Sequence, residues 1–139
     1  MLQSIHSTLA YAVLAVLVLA IINAFLGLSA KRNFTSKDRS ISLIALIFSH
    51  IQLLVGLVLW VESPIGKAGL SQMSNSAMRL TAMEHPLINI IAIVLITIGW
   101  SKHKKEESSN GKFKKIGIFY ALGLIFLLSR IPFKHWLGL

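Results

Sequence analysis

The chain contains no cysteine. That excludes disulfides, thiolate metal sites, cysteine nucleophiles and covalent haem attachment through a C-x-x-C-H motif. Acid is scarce as well, with five Asp and Glu against 14 Lys and Arg. Charged residues of both signs make up only 14% of the 139 residues, where a soluble domain carries about 25%. So little polar surface cannot cover a water-soluble globule, and lipid is the expected solvent of the outer surface. The net charge of +9 therefore does not point to nucleic acid, because there is no soluble basic domain to carry such binding. Proline is limited to three positions, Pro64, Pro86 and Pro132, each expected to end or kink a helix.

What is abundant is apolar sequence: 55% of residues are hydrophobic and the mean hydropathy is +0.72. The pattern predicts four membrane spans, at about 6–28, 38–61, 76–100 and 115–133, in a single transmembrane domain over 1–139. The first lacks a basic n-region and its apolar run exceeds the usual h-region of about 7–15 residues, so it is expected to be a retained helix. Thr35 and Asp38 have the spacing of a capping box at the start of the second helix, and Pro64 and Gly66 follow its end. The third must reach back through Glu84 and His85 to about Ser76, because Leu87 to Trp100 is too short for a hydrocarbon core of about 30 Å. Short connections between antiparallel neighbours predict an all-α, up-down-up-down four-helix bundle.

Ten of the 14 basic residues sit in two segments, Lys31, Arg32, Lys37 and Arg39, and Lys102, Lys104, Lys105, Lys112, Lys114 and Lys115. The other four are Lys67, Arg79, Arg130 and Lys134. The positive-inside rule places the basic loops 30–40 and 101–115 in the cytoplasm and both termini outside. The stretch from Lys102 to Lys114 reads as a solvated loop, with His103 in it.

Ionisable residues within a span are costly, about 2.5–3.5 kcal/mol or more for a charge at its centre, and they mark packing contacts or functional paths. His50 and His85 lie within predicted spans and His6 at the start of one. Counted from the outer ends at ~1.5 Å per residue, His50 is about 16 Å deep and His85 about 13 Å. Counted from the cytoplasmic ends, the same rise separates them in depth by about 8 Å. Neutral imidazole is a good ligand for haem iron, and two from facing helices can hold one b-type haem. Thr81 and Asn89, one turn either side of His85, are positioned to orient its ring. An intramembrane histidine can equally serve only to bond neighbouring helices, as is expected of Asn23, Gln52, Asn89 and Thr97. The five-residue spacing of Met73, Met78 and Met83 scatters around a helix, and no metal is expected beyond haem iron.

Glu84-His85-Pro86 combines a carboxylate, an imidazole and a residue that cannot donate to the carbonyl of Ala82. Glu84 is a candidate for proton exchange with a quinone, with Arg79 and Arg130 as counter-charges; a buried ion pair that only fixes packing is the competing reading.

His6-Ser7 in helix 1, Ser49-His50-Ile51-Gln52-Leu53-Leu54-Val55-Gly56-Leu57 in helix 2, Glu84-His85 in helix 3, Ile96-Thr97-Ile98-Gly99-Trp100-Ser101-Lys102 at its end and Arg130-Ile131-Pro132-Phe133 in helix 4 form a pattern. It resembles a group of small bacterial four-helix membrane proteins labelled cytochrome b or cytochrome-b-like. The resemblance covers nearly the whole chain. It implies a haem role for His50 and His85, with His6 as a third ligand or quinone contact. Where the family pattern has an Arg-Trp pair after the first histidine, this chain has Ala10-Tyr11, which weakens the case for His6. The expectation is a bacterial inner-membrane protein that passes electrons through haem b or forms part of a quinone site, beside a larger respiratory or redox complex. The alternative is a non-catalytic membrane subunit whose polar residues only hold helices together.

Overall fold

A computed structural model describes residues 1–138. They are all-helical, with no strand among them. Three helical stretches are long and apolar enough to cross a membrane: Leu2–Ser29, Ser36–Glu62 and Ser76–Lys105.

Helix α1 (Leu2–Ser29) begins four residues ahead of the predicted span, because no proline or glycine breaks the polar first turn. Helix α2 (Ser36–Glu62) starts at a reciprocal cap. The Thr35 backbone N–H donates to Asp38 Oδ2 at 2.8 Å. Asp38 is buried and also accepts from Asn23 Nδ2 and from Arg32 Nη1, both at 3.0 Å, so one carboxylate ties the α1 end, the turn and the α2 start together. Pro64 and Gly66 then open a loop that carries a 3₁₀ turn, Lys67–Gln72.

The next rod is built in three pieces. A single α-turn, α3 (Ser76–Arg79), is capped by Asn75, whose Oδ1 accepts from Ala77 and Met78 N–H. A π-helical stretch, Leu80–Glu84, follows, and then α4 (His85–Lys105), with Pro86 in its first turn. The proline cannot donate to the Ala82 carbonyl, and Trp60 Nε1 of α2 does so instead at 2.7 Å.

Helix α4 runs on through Lys105, so the segment expected to be a solvated loop from Lys102 is helical at both ends. His103 lies on α4 and is only 2% exposed, packed against Trp100 and Phe34. Helix α5 (Ser109–Ser129) starts six residues earlier than predicted, with Ser108 Oγ accepting from Gly111 N–H, and stops four earlier. The early stop has a local cause, since the residue before a proline avoids the α region and Pro132 thus disfavours helix at Ile131. Chain resumes as the short α6 (Phe133–Leu137). Lys112, Lys114 and Lys115 occupy the first two turns of α5, which leaves an uncharged stretch only from Ile116 to Ser129.

The long helices are neighbours in the cyclic order α1, α2, α4, α5, with α5 returning against α1. Their shared core is dominated by Leu17, Ile96, Phe113, Ile116 and Tyr120, and Tyr120 Oη donates to the Ser42 carbonyl at 2.8 Å. Glycines bring the helices close: a Cβ on Gly99 would sit 2.5 Å from Phe119 Cβ, and one on Gly123 2.7 Å from Ile96 Cγ1. The outward faces carry Leu19, Leu26, Leu54, Val61 and Ile125, each about 60% exposed.

Candidate cofactor site

A cavity of about 160 Å³ opens between α1, α2, the π-helical stretch, α4 and the chain after α5. Its wall is mostly apolar, with Val13, Leu53, Trp60 and Trp136 among the lining residues. The polar groups that reach it include His6, Gln52, Thr81, His85 and Asn89.

His6 and His85 face each other there, with ring centres 6.3 Å apart and ring planes at 75°. Each is placed by backbone features. His85 is the first residue after the π-helical stretch, so the extra residue per turn and the Pro86 interruption aim its side chain. Its Nδ1 lies 3.0 Å from the Arg130 carbonyl, which can only accept, so Nδ1 carries the proton and Nε2 keeps a lone pair, with the Asn89 amide nitrogen 3.4 Å from it. Carbonyl-held imidazoles of this kind are common among metal-ligating histidines. His6 sits over Gly56 of α2: a Cβ there would stand 3.0 Å from His6 Cε1, tighter than ordinary contact. Gln52, one turn before Gly56, donates from Nε2 to the His6 backbone carbonyl at 2.9 Å.

His50 is placed differently. It is not among the residues lining the cavity. Its Nδ1 donates to Leu46 O at 2.8 Å, and Nε2 lies 3.3 Å from Thr97 Oγ1, whose hydroxyl also reaches Ile93 O at 2.7 Å. Nδ1 is thus bonded within α2, and Nε2 lies against Thr97 at the α2–α4 contact. The fold pairs His85 with His6, where the sequence led us to expect His50.

The other sequence candidates divide in the same way. Asn89 lines the cavity, and its strongest bond runs from Nδ2 to the His85 carbonyl at 2.6 Å; the same atom is 3.1 Å from His85 Nδ1. Thr81 also lines it, but its hydroxyl points back to Ala77 O at 3.4 Å and makes no contact with the imidazole. Glu84 is outside the cavity lining. Arg79 Nε lies 3.1 Å and Arg130 Nε 3.7 Å from its two oxygens, so the acid is clamped between two guanidiniums beside the site. Because Arg130 also supplies the carbonyl to His85, this ion cluster is coupled to the imidazole through one residue.

The donor set can be tested against haem iron. Two imidazoles sharing a metal at roughly 2 Å from each nitrogen, with each ring centre roughly 1 Å behind it, have centres about 6 Å apart. The separation of the His6 and His85 ring centres meets that spacing, but the cavity takes a macrocycle only if the helices part further. Among the described residues no group of three His, Asp or Glu converges as a metal site without a macrocycle would require. Gln52 and Trp60 are the site residues that the sequence did not single out for this role. The signal for Trp60 was Pro86 itself, which announces a carbonyl in need of a donor.

No protein-family model matches the chain, and neither a curated protein nor a solved structure matches it significantly.

Proposed function

We propose that the chain is a small cytochrome-b-like protein of the bacterial inner membrane, a single four-span, up-down-up-down bundle, with His6 and His85 as axial ligands of haem b. Both termini lie outside and the basic segments 30–40 and 101–115, each partly helical, in the cytoplasm. The observation that carries the reading is the pair of imidazoles with ring centres 6.3 Å apart at a mostly apolar cavity, one of them held at Nδ1 by a backbone carbonyl. Haem between them would supply one-electron transfer. The chain's own residues hold the two rings, exclude water with Trp60, Trp136 and Leu53, and keep charge beside the site in the Glu84–Arg79–Arg130 cluster. The cavity wall is mostly apolar, so the electron partner is expected to be a larger membrane redox complex or a lipophilic carrier.

A second reading rests on cavity size. About 160 Å³ is smaller than the 300–1,000 Å³ of most cofactor sites, and a macrocycle requires the helices to part further. It is, however, close to the volume of a dry cavity that takes one benzene ring. A quinol head group, its hydroxyl donating to an imidazole lone pair, fills it without that movement.

The test is a reduced-minus-oxidised spectrum of the protein purified in mild detergent after expression with ample haem, with chemical haem and quinone assays. A b-type α-band supports the first reading. A colourless protein that carries quinone supports the second. A folded protein with neither leaves the non-catalytic subunit.

A further inference from the structure

Two buried side-chain polar atoms lack a partner among the described residues: His6 Nδ1 and Gln52 Oε1. They belong to residues already joined, since the Gln52 amide nitrogen holds the His6 backbone carbonyl at 2.9 Å. Their chemistry is complementary. An imidazole nitrogen donates in one of its two tautomers, whereas an amide oxygen only accepts. Two such atoms left apart in an apolar wall would both be desolvated without compensation. The His6 ring meets α2 by its Cε1 edge over Gly56, with Nδ1 and Nε2 on either side of that contact. The same seat that buries Nδ1 therefore leaves Nε2 on the other flank.

We propose that Gln52 is a positioning residue for His6: its Oε1 closes onto His6 Nδ1–H, a bond the two atoms do not make in this structure, and so fixes the tautomer that offers the Nε2 lone pair to the cavity. His6 then matches His85, whose Nδ1–H is held by the Arg130 carbonyl. One ligand is oriented by a side chain of α2 and the other by the backbone after α5. This assignment rests on reading His6 and His85 as the ligand pair, but its first observable does not need haem. Accepting from Nδ1–H also raises the basicity of the imidazole, which favours the oxidised state of a metal bound to it.

The experiment begins with ¹⁵N spectra of the histidine rings of the wild-type protein in detergent, His6 being assigned by its loss in His6→Gln. His6 is expected as the Nδ1–H tautomer. In Gln52→Leu it should shift to the Nε2–H form or a mixture. In Gln52→Glu, which keeps an acceptor oxygen in either protonation state, it should stay Nδ1–H. In haem-loaded protein, Gln52→Leu should raise the midpoint potential and weaken haem binding roughly 10- to 100-fold. Gln52→Glu should return the potential to the wild-type value or below. An Nε2–H tautomer in the wild type overturns the assignment without any variant. So does a Gln52→Leu protein with unchanged tautomer and potential. If the tautomers behave as expected but the wild type binds no haem, the cytochrome reading fails and the Gln52–His6 bond stands.

Discussion

Trp60 donates its indole N–H to the carbonyl of Ala82 at 2.7 Å, the acceptor that Pro86 cannot serve. This one bond joins α2 to the π-helical stretch at the point where the chain sets the direction of His85. Removing it has two consequences. The carbonyl loses its donor in a part-buried setting, and the turn before His85 loses its tether to α2. Trp60→Phe, which keeps the ring but not the N–H, is expected to cost about 1 kcal/mol, within the range for hydrogen bonds between membrane helices. Thermal unfolding in detergent checks the stability. If the account is right, the variant also binds haem more weakly at an unchanged helical content by circular dichroism.

Gly56 provides a more direct lever on the site. A Cβ there stands 3.0 Å from His6 Cε1, so Gly56→Ala obliges the ring to move by a few tenths of an ångström. Gly56→Leu displaces it altogether. The expected series is a small spectral shift for alanine and loss of haem for leucine, with the fold retained. Equal spectra in both variants would remove His6 from the site.

Helix approach at α4 and α5 depends on two other glycines. At Gly123 an added Cβ meets Ile96 at 2.7 Å and the Ala92 carbonyl at 3.0 Å; at Gly99 it meets Phe119 Cβ and, at 3.2 Å, the Lys115 carbonyl. Backbone oxygens cannot swing aside as a side chain can. Gly123→Ala and Gly99→Ala should each destabilise by about 1–3 kcal/mol, the usual cost of overpacking. Unchanged melting temperatures would show that the two helices separate easily.

Asp38→Ala removes a carboxylate that serves Thr35, Asn23 and Arg32 at once. Loss of the helix cap alone is worth about 1 kcal/mol, and loss of the charge-assisted bonds from Arg32 and Asn23 adds to it. A total near 2–3 kcal/mol is expected. Asp38→Asn, which keeps one acceptor oxygen, should recover part of it in the same unfolding assay.

Topology can be read without background, because the chain has no cysteine of its own. Ser71→Cys should react with a membrane-impermeant maleimide added to intact spheroplasts. Glu107→Cys should react only after the membrane is opened. The reverse pattern would invert the orientation, and labelling of both from outside would contradict the four-span topology.

Much of the fold was legible in the sequence because the strongest signals are local. Thr35 and Asp38 announce their cap by spacing, and long apolar runs make helices regardless of what they touch. Arg79 and Glu84, five residues apart, would diverge on an α-helix, and the π-helical stretch between them brings them together. Helix ends were less legible where the stop comes from outside the helix. Pro132 ends α5 at Ser129, several residues upstream, and lysines that read as loop are good helix formers within α4 and α5. The direction of His50 was less legible for a related reason. Depth counting assigns a height to a histidine but not a direction around the helix axis. His50 and His85 were placed at comparable depths, yet His50 turns to Thr97, and His85 turns to His6. The π-helical stretch before His85 shifts that direction further, and no residue pattern gave it away.

The most direct measurement is the reduced-minus-oxidised absorption spectrum of detergent-purified protein, compared across wild type, His6→Ala, His85→Ala and His50→Ala. The account predicts a b-type α-band in the wild type, lost in the His6 and His85 variants and kept in His50→Ala. A band that survives loss of His6 but disappears with His50 would contradict it.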